Sequence, residues 1–119
     1  MQFTRQVHVQ KQICDTYQSS QAQVLGIRSM NTCALISQNK VVIISKSIPT
    51  STDQEKHISI RGRRIDPILN QMKQEQYHAL MKERLTEITG YRVLSIESHK
   101  CMNNEKIEVY CFDHFFSTF

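Results

Sequence analysis

The chain has 119 residues and a mass of 13.9 kDa, is 39% hydrophobic and 22% charged, and carries 15 basic residues against 11 acidic ones, a formal net charge of +4. That balance excludes a disordered chain and gives one globular domain with a modest core; no apolar run reaches the roughly 18 to 20 residues of a membrane-spanning helix. The opening MQFTRQVHVQKQ lacks the apolar stretch of a secretory signal, and Cys14, Cys33, Cys101 and Cys111 form no Cys-x-x-Cys pair, so the expectation is a cytoplasmic protein with reduced, mostly buried thiols.

The first segment places Phe3, Val7, Ile13, Cys14 and Tyr17 at helical spacing among Lys, Gln and Arg. This predicts an amphipathic helix that fades near Gly26, a residue suited to the position past a helix end. Two β-rich runs, TCALIS and KVVIISKSI, flank Gln38 and Asn39 and predict a hairpin. Pro49 has no N–H for a ladder and ends the second run. Thr52 and Glu55 stand three apart, the pattern of a capping box, and predict a short helix near Asp53.

Asp66 and Pro67 form a stronger start signal, the first as a cap and the second at the first helical position. Ile68, Leu69, Met72, Leu80, Leu85 and Ile88 then recur until Gly90. A helix of roughly 23 residues is about 35 Å long, longer than the diameter of about 27 Å expected for a domain of this size. One end should therefore overhang. Beyond it, YRVLSIESHK and EKIEVYCFD pair across CMNN as a second hairpin. Ile107, Val109 and Cys111 alternate with Glu108, Tyr110 and Phe112, one aliphatic face and one mixed face, as in a sheet covered by helices on one side. The expected architecture is α+β in the order α-β-β-α-β-β, a single domain over residues 1–119 with one four-stranded antiparallel sheet and the helices on one face.

Two blocks resemble the MpsC family, which includes the small YbcI-like bacterial proteins and is named for a sodium-translocating, membrane-potential-generating system. ITGYRVLSIESHKCMNNEKIEVYCFD is similar to the family's helix-ending Ile-Thr-Gly, Val-rich strand, polar turn and strand ending in an apolar-acidic pair. LGIRSMNTCALISQNKVVIISKSIPTSTDQEK is similar more loosely: Gly26 is kept, but GIRS stands where the family has Gly-Lys-Gly-Pro, and IPTSTDQEK departs from its Leu-Thr-Pro-x-Glu helix start. The blocks cover about half of the chain and mark it as a divergent member. The resemblance implies a role in sodium translocation or ion and inorganic-carbon transport. It carries over no catalytic or ligand residue.

Chemical motifs are sparse. His99, Cys101, Cys111 and His114 fit no zinc framework, and strand alternation sets Cys111 and His114 on opposite faces. Asp53, Glu55, Glu87, Glu97 and Glu108 read as capping or solvent-facing carboxylates, and three glycines cannot form a phosphate loop. No metal, cofactor or catalytic residue is expected. Arg61, Arg63 and Arg64 precede the long helix, whose N-terminus attracts anions, and form the candidate anion site. The alternative reading, a solvated loop, uses the same residues.

The expectation is therefore an accessory protein that acts by protein contact, without inserting into the membrane, as a homodimer and a subunit of a membrane transport complex. Leu80, Met81, Leu85, Phe115, Phe116 and Phe119 are the candidate interface, because the late turns of the helix and the tail carry too much apolar surface for water. The competing expectation is a regulatory or nucleic-acid- or anion-binding module using Arg61 to Arg64. The aromatic residues that would stack bases cluster away from those arginines, which argues against nucleic acid.

Overall fold

The computed structural model describes residues 2–48, 59–60, 63–64 and 66–116. Helix α1 (Gln2–Ser20) runs into a π turn, Gln21–Leu25, and is followed by β1 (Arg28–Ser37) and β2 (Lys40–Ile48). A pair of two-residue strands, β3 (Ser59–Ile60) and β4 (Arg63–Arg64), precedes α2 (Asp66–Thr89); β5 (Val93–Lys100) and β6 (Glu105–Phe112) complete the chain. Four strands form one antiparallel sheet in the order β1-β2-β6-β5, and β3 pairs with β4 separately. The α+β plan and its α-β-β-α-β-β order are those expected from the sequence. The helix expected near Asp53 lies outside the described residues. Among the described residues no helix is long and apolar enough to cross a membrane.

Both helices stop at glycine. Gly26 has φ +66 and Gly90 φ +80, left-handed values where a side chain is strained. The Gly26 and Ile27 N–H groups turn back to the Ala22 and Gln21 carbonyls, and Gly90 N–H donates to the Thr86 carbonyl at 2.8 Å. These bonds satisfy carbonyls that a helix end leaves unpaired.

The two hairpins close with different chemistry. Ser37 pairs with Lys40, so Gln38 and Asn39 alone make the first turn, with Gln38 at φ 56. The second contains Asn103 and Asn104, at φ 61 and 63, and Glu105 N–H donates to the Met102 carbonyl. Positive φ at both central residues is the hairpin turn that asparagine tolerates. β1 also bulges: Met30 opposes Lys46 and Cys33 opposes Ile44, leaving Asn31 and Thr32 against Ser45 alone. Asn31 supplies the left-handed φ of 53 that the bulge needs.

The core lies between the helices and one sheet face. Val9, Ile13 and Tyr17 recur every four residues on α1, and Tyr77, Met81 and Leu85 do so on α2, giving each helix one buried stripe. They meet Ala34, Val41, Ile43, Val93, Tyr110 and Phe112 from the sheet. Each large side chain withdrawn from water contributes roughly 1.5 to 3 kcal/mol. At the beginning of α2, Ile68 and Met72 are exposed. Its later turns are covered by the protein's own sheet and α1.

Candidate functional site

Glu108 is the largest departure from the sequence reading. Expected in solvent, its carboxyl is fully buried, because β6 turns Lys106, Glu108, Tyr110 and Phe112 toward the helices. The mixed face of the strand is the inner one. The signal was available: Glu108 stands two residues before Tyr110 and four before Phe112, so alternation binds all three to one face.

Four donors surround this carboxylate. The Tyr77 hydroxyl donates to Glu108 Oε1 at 2.6 Å, and the Tyr110 hydroxyl donates to the same oxygen. Gln21 Nε2 reaches Oε2 at 3.4 Å from the π turn, and Lys106 Nζ lies 3.4 Å from Oε2 and over the Tyr77 ring. Beside them, Tyr17 Oη and Ser45 Oγ are hydrogen-bonded at 2.7 Å. Burial, and next the Glu108 charge, push the Tyr17 phenol up to about 12 and hold the Tyr77 and Tyr110 phenols far above their ordinary range. Burial alone outweighs the Glu108 charge at His78 and lowers its imidazole.

The carboxylate is crowded by donors. A carboxylate offers about four acceptor positions; here two phenols share Oε1, while the Gln21 amide and the Lys106 ammonium each stand 3.4 Å from Oε2. Phenols held protonated are not bases. The cluster instead fixes the helices on the sheet. Arg84 adds a second tie, donating to Ser20 Oγ at 2.8 Å and Gln23 Oε1 at 3.1 Å.

The other sheet face has a different character. With Val41, Ile43 and Ser45 turned inward, β2 turns Val42 and Ile44 outward, half-buried, between exposed Lys40 and Lys46. Ile107, Val109 and Cys111 do the same on β6, beside exposed Glu105. Register sets Leu35, Val42, Val109 and Glu97 in one row across the sheet, and Cys33, Ile44, Ile107 and His99 in the next. Leu35 is 48% exposed. Glu97 and His99, 3.6 Å apart, close the rows on β5. An apolar centre with a charged rim is the usual anatomy of a protein interface, and neither helix covers it.

The residues expected to form an interface are scattered. Met81 and Leu85 are fully buried in the core and Leu80 is half-buried, so their apolar surface already has cover within the chain. Phe116 folds back: its N–H donates to the Gln38 carbonyl at 2.7 Å, and its ring meets Phe112 and Tyr91. Phe115 is 68% exposed, and Phe119 lies outside the described residues. Arg63 and Arg64 form β4 opposite Ile60 and Ser59, close in sequence to the start of α2. Arg61 and the side chains of the other two arginines lie outside the described residues.

The thiols also differ from expectation: Cys33 and Cys101 are exposed, and Cys14 and Cys111 are half-buried. All four are free. Among the described residues no three His, Cys, Asp or Glu side chains converge on a metal position; His114 bonds Asp113 at 2.9 Å and stacks on Tyr91. Comparison of the chain with protein-family models, curated proteins and solved structures finds no match.

Proposed function

We propose that this chain is a small cytoplasmic accessory protein that acts by protein–protein contact rather than catalysis, as a homodimer serving a membrane transport or ion-translocation system. The observation that carries the contact role is the outer sheet face, where Leu35, Val42, Ile44, Ile107 and Val109 form an apolar centre that no helix covers among the described residues. Interfaces are distinguished by such a centre within a polar rim. The buried Glu108 cluster, closed to solvent and ringed by protonated phenols, supports a non-catalytic reading, and exposed Cys33 and Cys101 suit a reducing compartment. The transport setting rests on the two blocks that resemble the MpsC family.

The test places a photo-cross-linking amino acid at Val42 of the full chain in living cells and identifies the adducts by mass spectrometry. The expected result is an adduct with an integral membrane transport protein, together with an adduct between copies of the chain. Adducts with the chain alone would remove the transport setting. No adduct at all would remove the docking role of this face.

A further inference from the structure

We propose that a second copy of this chain docks on the outer sheet face about a two-fold axis that lies between the two sheets and runs across their strands. This deepens the contact role proposed above and rests on it. Two-fold pairing is the commonest closed assembly, and it requires a surface that complements itself. The register of this sheet allows that requirement to be examined residue by residue.

The two central rows are Leu35–Val42–Val109–Glu97 and Cys33–Ile44–Ile107–His99. An axis across the strands, midway between the rows, exchanges them while keeping each strand over its own copy. Val42 then lies over Ile44, Val109 over Ile107 and Leu35 over Cys33, apolar against apolar on three strands. On the fourth strand Glu97 lies over His99, and the two-fold repeats that contact. With the existing pair at 3.6 Å within each copy, a protonated His99 gives four groups of alternating charge.

An axis along the strands gives the opposite result. It lays β1 over β5, so Leu35 covers Glu97 and Cys33 covers His99, and the carboxylate loses water to an aliphatic side chain without gaining a partner from the second copy. The sequence on the face therefore distinguishes the two arrangements. Under the favoured axis Lys40 lies over Lys46 at the outer ends of β2; both are exposed, and Glu105, paired with Lys46 across the strands, offsets the charge. Aligned sheets pack about 10 Å apart and cross at about 30°, so the Val42, Ile44, Ile107 and Val109 centre keeps the closest register.

The experiment is light scattering of the purified full chain over a concentration series, with four single variants and one double variant. The natural chain should reach twice its 13.9 kDa. Val109→Glu should be a monomer at concentrations where the natural chain is a dimer. Leu35→Lys, at a position already half-exposed, provides the same test if the first variant loses its fold by circular dichroism. His99→Glu sets two carboxylates across the axis, and Glu97→Lys removes the carboxylate that faces His99 and sets like charges when His99 is protonated; each should weaken pairing about tenfold. The double variant, with the charges exchanged, should restore it. A natural chain that stays monomeric overturns the proposal, as does a Val109→Glu and Leu35→Lys pair that both remain dimeric. Equal affinity of the single and double charge variants overturns the axis. If the chain is monomeric yet Val42 cross-links to another protein in cells, self-docking fails while the contact role stands; loss of both removes the contact role as well.

Discussion

The Tyr77 hydroxyl, from the middle of α2, donates to the buried carboxylate of Glu108 on β6 at 2.6 Å. It is a charge-assisted bond between the long helix and a central strand of the sheet, and both residues are fully buried. Such bonds contribute about 1.5 to 3 kcal/mol. Tyr77→Phe should therefore lower unfolding free energy by about 2 kcal/mol. Urea denaturation gives the value, and a change within about 0.5 kcal/mol would show that Tyr110 and Gln21 satisfy the carboxylate without Tyr77.

Breaking the pair beneath it should cost more. Glu108→Ala leaves the Lys106 ammonium, 8% exposed as a residue, without its counter-charge. Removing one partner of a buried pair typically costs about 3 to 5 kcal/mol, whereas replacing both by apolar residues costs far less. The expected order of stability is natural chain, then Lys106→Met with Glu108→Leu, then Glu108→Ala. A double variant less stable than Glu108→Ala would contradict it, and would give the two tyrosine hydroxyls the larger share of the cluster's energy.

Alkali should unfold the protein. Tyr17, Tyr77 and Tyr110 hold their protons in the folded state above the ordinary value near 10, Tyr17 up to about 12. Between those values the unfolded chain has released protons that the folded chain keeps. The stability from these groups is thus complete below about pH 10 and is lost as pH rises through the folded values. At the acid side His78 is lowered by burial, so its contribution is present above about pH 6.5 and is lost as pH falls. Phenolate absorbance followed beside circular dichroism tests the alkaline limb: three of the four tyrosines should ionise together with unfolding rather than before it.

The hairpins were legible because their signals are local. Gln38 and Asn39, the Asn103–Asn104 turn, the Asp66–Pro67 start and the Gly90 stop each act within a few residues, and each stands where the sequence places it. The fate of the apolar groups on late α2 was not legible in the same way. Met81 and Leu85 present the same letters whether they face β-strands or a second subunit, and only the depth of the Tyr77 face against the sheet decides between them. Glu108 was misread for a related reason. Charge predicts exposure on average, but alternation with Tyr110 and Phe112 overrides it once a tyrosine from a distant helix supplies a donor.

Turn chemistry gives a further expectation. Asn103 and Asn104 sit at φ 61 and 63, where a β-branched side chain is strained by about 1 to 2 kcal/mol. Asn103→Val should lower the melting temperature, while Asn103→Gly should hold or raise it. Similar losses in both would place the value of Asn103 in its side chain rather than its backbone.

The thiols should separate by reactivity. Cys33 and Cys101 are exposed, whereas burial, and next the neighbouring Cys33, push the Cys14 thiol up, and its Sγ lies 3.8 Å from the Thr32 carbonyl. Thiolate is the reactive form, so Cys33 and Cys101 should label quickly and Cys14 last. Reductant should leave the melting temperature unchanged. Mass-resolved labelling in which Cys14 reacts first would contradict this order.

The strand order β1-β2-β6-β5 has a kinetic consequence. Each outer pairing closes within a short stretch of chain, through two residues at Gln38–Asn39 and a few around Asn103. The central seam instead joins Ile44 to Ile107, from opposite halves of the chain. Short hairpins form in about 1 to 10 μs, while a long closure must lose its entropy before any seam contact rewards it. The two hairpins should therefore form early, and closure of the β2–β6 seam should set the folding barrier. Destabilising substitutions in either hairpin or in the seam should therefore slow refolding more than they quicken unfolding.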